Sequence, residues 1–159
     1  MITRQGIEVE HVRIESAKSF ADVRTALERN VPQLDPTLVK ALTDGDVEWA
    51  NREKDQGPEL FIFQVRDHGA LLAIAGKARN ALQYEIGNPL TATLMTRHLP
   101  LAALYAPIRV LLYENDAGHG VFEYDQPSTT FGQVDDERVS AVARGLDAAL
   151  ERALLAAAE

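Results

Sequence analysis

Between Val139 and Leu154 the apolar residues Val139, Val142, Leu146, Leu150 and Leu154 recur at helical spacing. Arg138, Arg144, Asp147, Glu151 and Arg152 occupy the opposite stripe. This period predicts a long amphipathic helix over 135–155 lying on a sheet. Asp135, Asp136 and Glu137 put negative charge in its first turn, where the helix dipole favours it. Two-residue alternation near the other end, in Ile7–Ile14, predicts a first strand. Ser19 then reads as an N-cap with Asp22 at the third helical position, opening a helix on Phe20, Val23, Leu27 and Val31 that Pro32 stops.

Asp35-Pro36 opens a short helix on Leu38, Val39 and Leu42, which Gly45 interrupts. The polar stretch 51–59, punctuated by Gly57-Pro58, reads as a loop, with Trp49 at its edge as a packing anchor or a lid. Strands are expected over Leu60–Arg66 and Ala81–Ile86, with a short helical turn over Ala70–Ala75 between them. Gly87-Asn88-Pro89 leads into a helix ending near His98. Ile108–Glu114 and Gly120–Asp125 form a hairpin around Asn115-Asp116-Ala117-Gly118. Neighbouring strands flanked by helices favour a two-layer α+β fold, an antiparallel sheet covered by helices, with residues 1–159 as a single domain.

The chain has 159 residues, 46% hydrophobic and 25% charged, enough to build a core without staples. It contains no cysteine, which excludes disulfides, iron–sulfur clusters, zinc ribbons and thiol nucleophiles. A net charge of −8 without a local Lys/Arg cluster disfavours nucleic acid. The longest apolar stretch, Leu99–Tyr113, is broken by Pro100, Pro107 and Arg109, so no membrane span is expected. With no apolar run after the first basic residue, a signal peptide is not expected and the cytoplasm is the expected location. His11, His68, His98 and His119 lack zinc-ligand spacing. G-x-S-x-G, P-loop and G-x-G-x-x-G motifs are missing, so no metal and no cofactor is expected.

Several residues could carry chemistry. Asp67-His68 ends a strand, and His68 reads as a structural turn residue ahead of acid, base or ligand. Asn88 reads as a helix cap whose exposed N–H groups could also hold an anion. Glu123 and Asp125 share one face of their strand, Phe122 and Tyr124 the other. A buried Glu123 near Glu85 would form a coupled acid pair. Arg109, in an apolar strand, reads as the partner of a carboxylate, either internal or on a ligand.

The ordered series Asp67-His68, Ala70–Gly76, Gly87-Asn88-Pro89, Leu94-Met95, Pro107-Ile108-Arg109-Val110 and Tyr124-Asp125-Gln126-Pro127 resembles the DUF302 family over roughly residues 7–155. That resemblance implies a β-α-β4-α arrangement loosely similar to the TATA-box-binding saddle, and it implies no activity. The chain departs from the family pattern in a longer 34–58 connection, at Lys77-Ala78-Arg79, at Glu85 and at Phe131-Gly132.

Two functions follow as expectations. One is binding, or cofactor-independent catalysis, of a small polar or anionic organic molecule. Its catalytic residues would be His68, Asp67 and Glu123, and its ligand-binding residues Asn88, Arg109 and Tyr124. Its centre would lie where the Asp67-His68 turn approaches Asn88, with Gly69 and Gly87 leaving room for a ligand. The other is a non-catalytic interaction module working as a homodimer, because the edges of a small open sheet need cover. An apolar pocket with convergent polar groups would favour the first, and a flat apolar patch over the sheet the second.

Overall fold

Five strands form one antiparallel sheet in a computed structural model that describes residues 1–159, with side chains for all but 53–55. They are β1 (His11–Ser19), β2 (Phe61–Asp67), β3 (Ala81–Gly87), β4 (Ile108–Glu114) and β5 (His119–Asp125), side by side in the order β1-β5-β4-β3-β2. Two longer helices, α1 (Phe20–Asn30) and α7 (Glu137–Ala158), pack against one face. Shorter helices fill the connections: α2 (Pro36–Thr43), α3 (Val47–Gln56), α4 (His68–Ile74), α5 (Pro89–Thr96) and α6 (Pro127–Phe131). With these set aside the order is β-α-β4-α, the expected α+β arrangement of a helix layer on an antiparallel sheet.

Alternation along the strands divides the two faces. Tyr84 and Ile86 of β3, Val110 and Leu112 of β4 and Phe122 of β5 are fully buried toward the helices. From α7 they meet Val139, Leu146, Leu150 and Leu154, and from α1 Val23 and Leu27, in one hydrophobic cluster. Buried Ser16 of β1 donates its hydroxyl to the Ala158 carbonyl, tying the last turn of α7 to an edge strand. The opposite face carries His11, Arg13, Glu123, Arg109, Glu85 and Arg66.

Local signals read from the sequence coincide with the observed caps. The Ser19 side chain accepts from the Asp22 N–H, Asp35 from Thr37, and Asn88 from Leu90 and Thr91; Asp136, read from the sequence only as first-turn charge, caps α7 by accepting from Arg138.

Two expectations need correction. The first strand runs from His11 to Ser19, not from Ile7, because β5 ends at Asp125, opposite His11. Beyond that point one further bond, from the Gln126 N–H to the Glu10 carbonyl, continues the pairing. Val12 and Ile14 therefore face the core, while Ile7 and Val9 stay exposed. The stretch 51–59 is not all loop either: α3 continues to Gln56 before Gly57-Pro58 breaks it. The sequence also left unassigned the 3-10 helix Pro100–Tyr105 and α6, which prove important below. Among the described residues no helix is long and apolar enough to cross a membrane.

Candidate functional site

The expected centre does not assemble. Asp67 pairs with Leu82 and Phe61 with Gly87, so Asp67-His68 and Asn88 sit at opposite ends of the β2–β3 ladder. Five residues of extended strand separate those ends, roughly 17 Å. Asp67 accepts a 2.9 Å hydrogen bond from the Ala70 N–H as the cap of α4. His68 follows in the first turn of α4, exposed and without a side-chain partner among the described residues. Glu123 lies three strands away from Asp67, roughly 14 Å across the sheet. Tyr124 points to the other face, where burial first, and then the charges of Glu151 and Asp147, push its phenol up to about 12.

Asn88 is fully engaged. Its carbonyl oxygen accepts from the Leu90 N–H at 2.9 Å and the Thr91 N–H at 3.3 Å. Its amide nitrogen donates to the carbonyls of Pro58 at 3.1 Å and Glu59 at 3.3 Å. The side chain thus caps α5 and pins the chain entering β2, and no polar function is left over for a ligand. Glu85 and Glu123 do not form an acid pair. They are two strands apart, with Glu85 in an ion pair with Arg66.

Polar groups do converge on the open face of the sheet. The His11 ring lies between two carboxylates, Nδ1 3.1 Å from Asp125 and Nε2 3.3 Å from Glu123. Glu123 also accepts a 2.8 Å hydrogen bond from the Tyr113 hydroxyl and lies 3.3 Å from Nε of Arg13. With a carboxylate at each nitrogen, the imidazolium can donate twice. The hydrogen bond to Asp125, supported by that to Glu123, raises the His11 pKa above its ordinary 6.5. A raised folded-state value means that this contact stabilises fully below 6.5 and that its contribution disappears as pH climbs through the folded value. An NMR titration should place the His11 midpoint above 6.5, and a midpoint at or below it would contradict the paired geometry. Since the ring is exposed, the effect on melting should be small.

A second feature is concave. At the end of the sheet formed by the close of β3 and the start of β4, a cavity of about 250 Å³ opens between strands and helices. Phe63, Ile86 and Gly87 contribute from the sheet, Ala92 and Met95 from α5, Pro107 from the turn before β4 and Ile108 from its start. Phe131 of α6 and Leu146 of α7 close it. Among the described residues Asn88 is its one polar side chain, already committed to the cap and to Pro58 and Glu59, and no titratable side chain lines it. Beside it lies a smaller recess of about 70 Å³ that shares Pro107 and Ile108 as a wall and adds Leu104, Tyr105, Arg109, Asp125 and Thr130. The Tyr105 and Phe131 rings meet edge to face, centroids 5.9 Å apart, one in each space.

Of the expected site residues, only Asn88 borders the cavity and only Arg109 the recess beside it. The sequence reading missed Ala92, Phe131 and Tyr105. Its usable signals were the Gly87-Asn88-Pro89 turn, Met95 and Pro107-Ile108, three of the recognised motifs, which meet at this cavity.

Comparisons with known proteins agree on the family. The family model described as "Domain of unknown function DUF302" matches residues 49–157, which leaves β1 and α1 outside the match. A crystal structure of an uncharacterized conserved DUF302 protein from Bacillus stearothermophilus superposes with a TM-score of 0.68 at 13% identity. It covers 92% of this chain and 97% of that one, so the shared fold includes elements that the family model omits. No curated protein matches the chain.

Proposed function

The chain belongs to the DUF302 family, which carries no assigned activity, and from that premise we propose that it binds a small organic molecule with an apolar body in the cavity between the Asn88 turn and α7. The observation that carries this reading is the lining. An apolar concavity with few polar groups is the usual form of a small-molecule site. Among the described residues no titratable side chain lines the cavity, which favours binding over proton-transfer chemistry within it. The groups that would suit a polar ligand lie beside the cavity, in the recess with Arg109. A homodimeric interaction module would call for a flat apolar patch on the sheet. The open face instead carries paired charges, which supports the first reading over the second.

Calorimetric titration with 1-octanol tests the reading. The parent should bind it, and Ala92→Trp, which places an indole in the cavity from α5, should weaken binding by about tenfold or more, equivalent to about 1.4 kcal/mol. His68→Gln should bind as the parent does, because His68 lies far from the cavity. Octanol affinity unchanged in Ala92→Trp but lost in His68→Gln would move the site to the α4 turn and end this proposal.

A further inference from the structure

Building on that cavity reading, we infer that the ligand is amphiphilic: its apolar body fills the cavity and a carboxylate reaches Arg109 in the adjoining recess.

Arg109 stands on β4, the central strand, with Glu85 opposite it on β3 and, by the β4–β5 register, Asp125 opposite on β5. Both carboxylates are engaged elsewhere, Asp125 with His11 at 3.1 Å and Glu85 with Arg66. Arg13, the remaining cation of this face, bridges Glu15 and Glu123. Among the described residues Arg109 is the one arginine of this face whose side chain has neither a hydrogen bond nor an ion pair. A guanidinium offers a planar fork of donors suited to a carboxylate.

Position supplies the second argument. Pro107, which immediately precedes β4 and lies two residues before Arg109, is a wall of both the cavity and the recess. An apolar chain passing out of the cavity over Pro107 meets Arg109 next. Around that point the Tyr105 hydroxyl has no partner among the described residues. The Thr130 hydroxyl, also at the recess, already donates to the Pro127 carbonyl at 3.0 Å. The donors at the cavity mouth are therefore Arg109 and the Tyr105 hydroxyl, whereas among the described residues the interior offers only the committed Asn88.

Octanoate and 1-octanol, matched in apolar body and differing in the head, provide the test. Calorimetry at low ionic strength should find octanoate bound more tightly by the parent than octanol. Arg109→Gln should weaken octanoate by about tenfold, the worth of a hydrogen bond to a charged group, and leave octanol unchanged. Added salt should narrow the parent's preference for the acid. Arg109 is exposed, so the variant should retain the parent's melting temperature. If Arg109→Gln binds octanoate as tightly as the parent, or if acid and alcohol weaken together, the inference fails while the cavity reading stands. If the parent binds neither probe, both fail.

Discussion

A chain ended after Val134 will not unfold cooperatively. The truncation removes α7 alone, 22 residues whose inner stripe includes Val139, Ala143, Leu146, Leu150, Leu154 and Ala157. That stripe shares one hydrophobic cluster with Tyr84, Val110, Leu112 and Phe122, all fully buried, and it also packs against α1. Without it the core face of the sheet lies open to water over an area that a stable monomer rarely tolerates. The loss extends to an edge strand, since Ser16 loses the Ala158 carbonyl to which its buried hydroxyl donates. A milder version of the experiment is Leu150→Ala. Leu150 has no exposed surface, so the cavity left behind should cost about 2–5 kcal/mol. Urea titration followed by circular dichroism should show one sharp transition in the parent, an earlier one in Leu150→Ala and a gradual drift in the truncated chain. A sharp transition in the truncated chain would mean that the sheet and α1 form a core without α7.

The prominence of α7 was legible because its information is local: a period repeated over five turns and an acidic first turn. The caps at Ser19, Asp35 and Asn88 were legible for the same reason, each involving residues two or three positions apart. The boundaries of β1 depended on its partner. Ile7 and Val9 alternate as well as Val12 and Ile14 do, and only the end of β5 at Asp125 decides which pair is buried. The site was less legible still. Asn88 bonds to the carbonyls of Pro58 and Glu59, some thirty residues earlier, and nothing in Gly87-Asn88-Pro89 announces them. Part of the misplaced centre was avoidable. Successive antiparallel strands reverse direction, so the far ends of β2 and β3 lie at opposite edges of their ladder, and Asp67 and Asn88 could not have met. The cavity itself needed the 3-10 helix and α6, whose short Pro-led segments carry too few residues for a period to appear.

Gly69→Ala and Gly87→Ala will have opposite effects, although the sequence offers the two glycines for the same purpose. A methyl group at Gly69 would lie 2.4 Å from the Arg79 carbonyl oxygen and 3.0 Å from the Ala81 nitrogen, with Asp67 Oδ1 at 3.2 Å. Those atoms belong to the backbone entering β3 and to the cap of α4, and neither can rotate aside. The space at Gly69 is thus occupied by the protein's own chain, not by a ligand, and the substitution should cost about 1–3 kcal/mol as overpacking. At Gly87 the added carbon would sit 3.5 Å from the Phe63 ring and 3.9 Å from Pro107, both ordinary contacts. The backbone there does not require glycine, so Gly87→Ala should leave stability unchanged or raise it by about 0.4–1 kcal/mol through the unfolded chain. Its methyl group would enter the cavity wall between Phe63 and Pro107, and octanol binding should weaken. Thermal melts and octanol titrations of both variants separate the roles. The distinction drawn here would be lost if Gly69→Ala melts with the parent, or if Gly87→Ala binds octanol as tightly as the parent does.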